Sequence, residues 1–147
     1  MHSAKPTPTP TPKLPTAAEV VAKLQAAGLP MTAVTEVTED TDPNHLLGRP
    51  HGYTSKTEWR DLRVPGSGSG GTDAGGSVEA FANADDAQAR AVYVGGIVKE
   101  NPLFGSYNYL SRSGAFFLRV SRILKPSEAD TYASALKATY TDLGPAP

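Results

Sequence analysis

The chain has 147 residues, 14 of them basic and 15 acidic, and contains no cysteine. Near-balanced charge without a Lys/Arg cluster argues against a nucleic-acid binder working through a broad positive face. The missing cysteines exclude disulfides, thiol catalysis and thiolate metal sites in this chain, and no run approaches the roughly 18 apolar residues a membrane-crossing helix needs.

Residues 1–15 carry five of the 13 prolines in an alternating Thr-Pro run. That pattern forms neither helix nor sheet ladder and favours an extended, semi-rigid spacer, so it is expected to be a disordered tether. Thr16-Ala-Ala-Glu19 has capping-box spacing and opens a helix whose apolar stripe is Val20, Leu24 and Ala27. Gly28 and Pro30 end it. Met31–Thr38 reads as a strand, 40–54 as a loop broken by Asp-Pro-Asn and Gly-Arg-Pro, and Ser55–Val64 as a second strand.

The stretch 65–76, PGSGSGGTDAGG, offers no core side chain and is expected to be a mobile Gly/Ser loop. A short strand over 77–82 follows. Asn83 caps a second helix with Asp85 and Asp86 in its first turn, reaching Lys99 or Glu100. Within it Gly95-Gly96 implies either a kink or a close neighbouring backbone. Residues 107–110 and 115–123 form a hairpin around Ser111–Gly114, and Pro126 opens a third helix. Phe116, Leu118, Val120 and Leu136 are expected in one core, and the tail 142–147 is expected to fray.

The order α-β-β-β-α-β-β-α gives an α+β class. It predicts one domain over 16–141, with a mainly antiparallel sheet of four to five strands and about three helices on one face. The other face would then be open to solvent. Three separated stretches carry a resemblance: Asp42–Lys56 (DPNHLLGRPHGYTSK), Gly75–Phe81, and Gly105–Tyr109 leading to Phe117–Ser121. Together they resemble a domain of uncharacterised extracytoplasmic lipoproteins and secreted proteins of Gram-positive, actinobacterial-type bacteria. The resemblance implies export and, often, a lipid-modified cysteine ahead of such a tether. No such cysteine is in this chain, so membrane association through an N-terminal lipid anchor is an inference. The family supplies no activity or catalytic residue.

The candidate chemistry is sparse. Gly66–Gly71 lacks the following helix of a phosphate loop and reads as linker. Asp40-x-Asp42-x-Asn44 imitates the start of a calcium loop, but His45 and His51 stand where its glycine and closing glutamate belong. His45 and His51 fix no zinc geometry without a third ligand, though an imidazole beside a carboxylate could serve acid–base chemistry. Arg49 either pins its loop by pairing with a carboxylate such as Asp61, or meets an anionic ligand. Asp42, Asn44, His45, Arg49, His51 and Tyr53 thus form a candidate functional loop. Trp59, Tyr107, Tyr109, Phe117 and Arg119 form a candidate interaction surface on the helix-free face.

No cofactor is called for. The expected function is non-enzymatic: a surface-tethered binding domain for an unknown envelope protein or ligand. Two alternatives stand beside it, an inhibitory or prophage superinfection-exclusion lipoprotein and an envelope hydrolase. A pocket joining imidazole to carboxylate favours the hydrolase, and a flat aromatic face favours the binding domain.

Overall fold

The computed structural model describes residues 13–66, 71–101 and 105–147. The Thr-Pro tether up to residue 12 and positions 67–70 of the Gly/Ser stretch lie outside the described residues. The elements run α1 (Ala17–Ala26), β1 (Met31–Glu36), β2 (Ser55–Asp61), β3 (Gly75–Ala80), α2 (Ala84–Glu100), β4 (Ser106–Ser111), β5 (Phe116–Ser121), α3 (Pro126–Lys137) and β6 (Gly144–Pro145). They build an α+β domain on one antiparallel sheet ordered β1-β2-β3-β5-β4-β6.

The helix starts follow local chemistry. The Glu19 amide donates to Thr16 Oγ1 at 3.1 Å, and the Asp86 amide donates to Asn83 Oδ1 at 2.8 Å. Pro126 stands at the first position of α3, where the Glu128 carboxylate accepts from the Lys125 amide at 2.9 Å.

Two apolar clusters lie on opposite faces of the sheet. The larger joins α1 and α3 to Trp59, Val78, Ala80, Phe116, Leu118 and Val120, and Leu136 belongs to it as expected. The smaller joins Ala87, Ala91 and Val94 of α2 to Tyr53, Phe81 and Phe117. The helices therefore divide between the faces, where one covered face was expected. The alternation on β5 shows why: Phe116, Leu118 and Val120 point one way and Phe117 the other, and all four are buried. A strand apolar on both sides needs cover on both.

Two further expectations fail. Of the stretch 65–76, Thr72–Ala74 make a 3₁₀ turn and Gly75-Gly76 open β3, buried in mid-sheet. A side chain at Gly76 would meet Trp59 Cζ2 at 2.3 Å, so the absent Cβ makes room for the indole. The tail does not fray either. Leu143 is buried in the larger cluster, Gly144–Pro145 pair with β4 as a sixth strand, and Ala146 packs on the smaller cluster. The Pro147 carbonyl lies 2.5 Å from where a Gly95 Cβ would stand, so of the two alternatives for Gly95-Gly96 the close neighbouring backbone is found at Gly95, and it is that of Pro147.

Candidate functional site

The candidate interaction surface does not assemble. Tyr107 pairs with Val120 and Tyr109 with Leu118, so both tyrosines share the α1/α3 face with Trp59, which is 1% exposed. Phe117 and Arg119 project to the opposite face, beneath α2. The four-residue turn 112–115 joins Ser111 to Phe116, so each odd-numbered residue of β4 pairs with an even-numbered one of β5, and Phe117 and Arg119 lie beside Leu110 and Asn108. The expected turn over 111–114 has the same length and the same parity, so the grouping of the tyrosines with Phe117 and Arg119 was already excluded by the pairing it implied.

The candidate loop, by contrast, is tightly built. The Asp42 carboxylate accepts from the amides of Asn44, Leu46 and Leu47 at 3.0, 2.8 and 2.9 Å and from the Tyr53 hydroxyl at 2.6 Å. Burial alone would raise the Asp42 carboxyl, but the Tyr53 hydroxyl and the three amides outweigh it and hold it at about 2. Burial, then the bond to Asp42, pushes the Tyr53 phenol up. Gly52 closes the loop, since a Cβ there would fall 2.1 Å from the Leu46 carbonyl oxygen. Asn44 reaches the Tyr53 hydroxyl at 3.3 Å. Asp42 is thus committed to loop closure and is not an open metal ligand. Among the described residues, no group of three or more His, Asp or Glu is placed to hold a metal ion.

Arg49 does not pin the loop to Asp61. Asp61 accepts from Arg63 Nε and Nη2 at 3.0 and 2.8 Å and from the Tyr132 hydroxyl, while Arg49 sits exposed on the loop. His45 is also exposed, with a left-handed φ of 54°.

Between this loop and α2 opens a cleft of about 610 Å³. The loop contributes Asn44, Leu46, Pro50 and His51, α2 contributes Tyr93, Val94, Ile97 and Val98, and Phe81 and Arg119 are also in the lining. The aromatic floor is Tyr53 edge-on to Phe81, with ring centroids 6.1 Å apart. At one edge His51 Nδ1 lies 2.9 Å from Asp86 Oδ1, with the imidazole 84% exposed. The Asn83 side-chain amide holds the other Asp86 oxygen at 3.1 Å.

Beneath α2 lies a covered ionic cluster. Arg90 Nε and Nη2 donate to Glu79 Oε1 and Oε2 at 3.0 and 3.5 Å, and Lys56 Nζ stands 3.4 Å from Glu79 Oε2. Lys56 also lies over the Tyr53 ring, 5.4 Å from its centroid. Asn44, His51 and Tyr53 of the expected functional loop line this cleft, and so does Arg119, which was expected on a separate aromatic surface; Asp86 and Arg90 of the cleft, and Glu79 beneath it, were not singled out. A signal for them exists: Asp86, Arg90, Tyr93 and Ile97 repeat at helical spacing, and Glu79 is a lone charge between Val78 and Ala80 in a strand.

The chain matches no known protein family, no curated protein and no solved structure.

Proposed function

We propose that this chain is a binding domain, non-enzymatic and extracytoplasmic, whose ligand site is the cleft between α2 and the 42–53 loop. The observation that carries the reading is a concave, largely apolar space of about 610 Å³ walled by a loop that four hydrogen bonds to Asp42 hold in shape. Preformed apolar clefts with a few convergent polar groups are the usual form of small-ligand sites. The Thr-Pro run ahead of α1 fits a tether that stands the domain off a surface. The earlier idea of an open aromatic sheet face gives way to this site, because α2 covers Phe117.

One observation favours a second reading. The His51–Asp86 contact sets an imidazole beside a carboxylate at the edge of the cleft, as a hydrolase acting on the envelope would require. Among the described residues the lining holds no serine, threonine or cysteine, and its Tyr53 hydroxyl is committed to Asp42, so such an enzyme would activate water rather than use one of these as nucleophile.

The test is native mass spectrometry of the full chain after incubation with an actinobacterial envelope extract. The expected result is a bound small molecule on the natural chain and on His51→Ala, and its loss from Ala89→Trp, which fills the cleft. No adduct on the natural chain overturns the binding reading. An adduct that accumulates only on His51→Ala indicates turnover and supports the hydrolase.

A further inference from the structure

The cleft has a chemical polarity that narrows its occupant. The sheet face beneath α2 gathers Lys56, Arg90 and Arg119 around Glu79, in a chain whose total charge is near neutral. Both Glu79 oxygens are engaged, one by Arg90 Nε and the other by Lys56 and Arg90 Nη2. Arg119 makes no hydrogen bond to Glu79. Its Nε donates to Ser106 Oγ at 3.1 Å, while its two terminal nitrogens have no hydrogen bond to protein among the described residues.

Burial and the neighbouring Arg90 charge weigh against the Arg119 cation, while Glu79 and Asp73 favour it. A guanidinium has no neutral form to retreat to near pH 7, so its charge and unfilled donors remain in a half-covered site. The other charged groups at the cleft are engaged elsewhere: Asp86 by His51 and Asn83, and Arg90 by Glu79.

The remaining wall is apolar and wet. Tyr93 is 62% and Ile97 43% exposed on α2, and Val98 and Leu46 complete the strip. Forked donors at a mostly apolar cleft match a molecule with an anionic head and a hydrocarbon or aromatic body.

We propose that the ligand of this cleft is an amphiphilic organic anion, its carboxylate or phosphate held by Arg119 and its apolar body lying along Tyr93, Ile97, Val98 and Leu46. The proposal rests on the cleft being the binding site. The carboxylate and phosphate forms share one recognition chemistry and differ only in the head group.

Calorimetric titration of the full chain with octanoate, octyl phosphate, octan-1-ol and octyltrimethylammonium separates the terms. The expected result is that at least one anion binds about tenfold or more tighter than the alcohol, and that the cation is weakest. The tighter anion identifies the head group. Arg119→Gln should bring the anion down to the alcohol and leave the alcohol unchanged. If that variant does not fold, the natural chain still decides: the anion must shift the Arg119 Nε–H resonance and the alcohol must not. Equal affinity for anion and alcohol overturns the anionic head while leaving the apolar cleft as the site. Binding of none of the four overturns the amphiphile, and the extract experiment then judges the cleft by itself. An anion effect confined to resonances far from Arg119 also overturns the assignment.

Discussion

Gly76 shows how one missing side chain can decide the packing of the largest one. Its position faces Trp59 across the β2–β3 pair, and a Cβ there would lie 2.3 Å from the indole and 2.8 Å from the Arg119 carbonyl oxygen. Neither neighbour can yield easily. Trp59 is held against Tyr132 with ring centroids 5.4 Å apart, and the carbonyl is mid-strand backbone. Gly76→Ala should therefore destabilise by about 2–3 kcal/mol through overpacking, read as a lower urea midpoint at unchanged slope. An unaltered midpoint would show that the indole has room to move. The alternation of Ser55–Val64 was enough to put Thr57, Trp59 and Asp61 on one side, and the structure keeps them together. The role of Gly76 was not legible, because glycine opposite tryptophan has the same composition as glycine in a linker. Only the pairing of β2 with β3 separates the two.

At the scale of elements, the starts of the helices were the most legible feature, since each depends on a few adjacent residues such as Thr16 with Glu19 or Asn83 with Asp86. Strand register and the fate of the tail depend on contacts between distant segments. The faces of the β4–β5 hairpin are the exception, legible but misread: a four-residue turn at 111–114 or at 112–115 pairs odd-numbered residues with even-numbered ones and so separates Tyr107 and Tyr109 from Phe117 and Arg119. The tail was read as fraying from its Gly-Pro-Ala-Pro composition, yet Asp142 accepts from Ser111 Oγ, Ser113 Oγ and the Ser113 amide at 2.8, 2.7 and 2.8 Å, which leads the segment onto the sheet edge. The two neighbouring glycines of α2 now make a matched pair. Gly96→Ala meets nothing within 4 Å and should stabilise by roughly 0.5–1 kcal/mol, as an alanine in a helix interior does. Gly95→Ala meets the Pro147 carbonyl and should destabilise the full chain. In a chain ending at Pro145 the same Gly95→Ala change should reverse sign and stabilise like its neighbour. Thermal melts of the four variants check this, and the same sign at Gly95 in both backgrounds would remove the Pro147 backbone as the cause.

Across the whole molecule, three aspartates tie connections to the sheet, and they make its stability depend on pH in a definite direction. Asp42 closes the 42–53 loop, Asp61 joins the end of β2 to α3 through Tyr132, and Asp142 fastens the tail to the β4–β5 turn. Burial acts against each carboxylate, yet hydrogen bonds prevail at all three: those from Tyr53 and backbone amides at Asp42, from Arg63 and Tyr132 at Asp61, and from Ser113 and Ser111 at Asp142. Asp42 falls to about 2 from an ordinary 3.8, and the other two shift the same way. In the unfolded chain these carboxyls take up protons at their ordinary values, while in the folded chain they resist until lower pH. The unfolded state therefore binds more protons through that interval, and folding loses free energy as pH falls. The contribution is complete above about pH 5 and declines toward pH 2. The thermal midpoint should stay flat from about pH 7 to 5 and fall steeply between about 4 and 2. Asp42→Asn tests one tie alone. It keeps an acceptor for the Tyr53 hydroxyl but loses the charge and one of the two oxygens that serve the loop amides, so it should cost on the order of 2 kcal/mol at neutral pH. Below about pH 4 the variant should lose stability more gently than the natural chain, because one titrating tie is already gone. Parallel acid profiles for the two proteins would show that Asp42 contributes no pH-dependent stability, and a natural midpoint unchanged down to pH 2 would deny the role to all three.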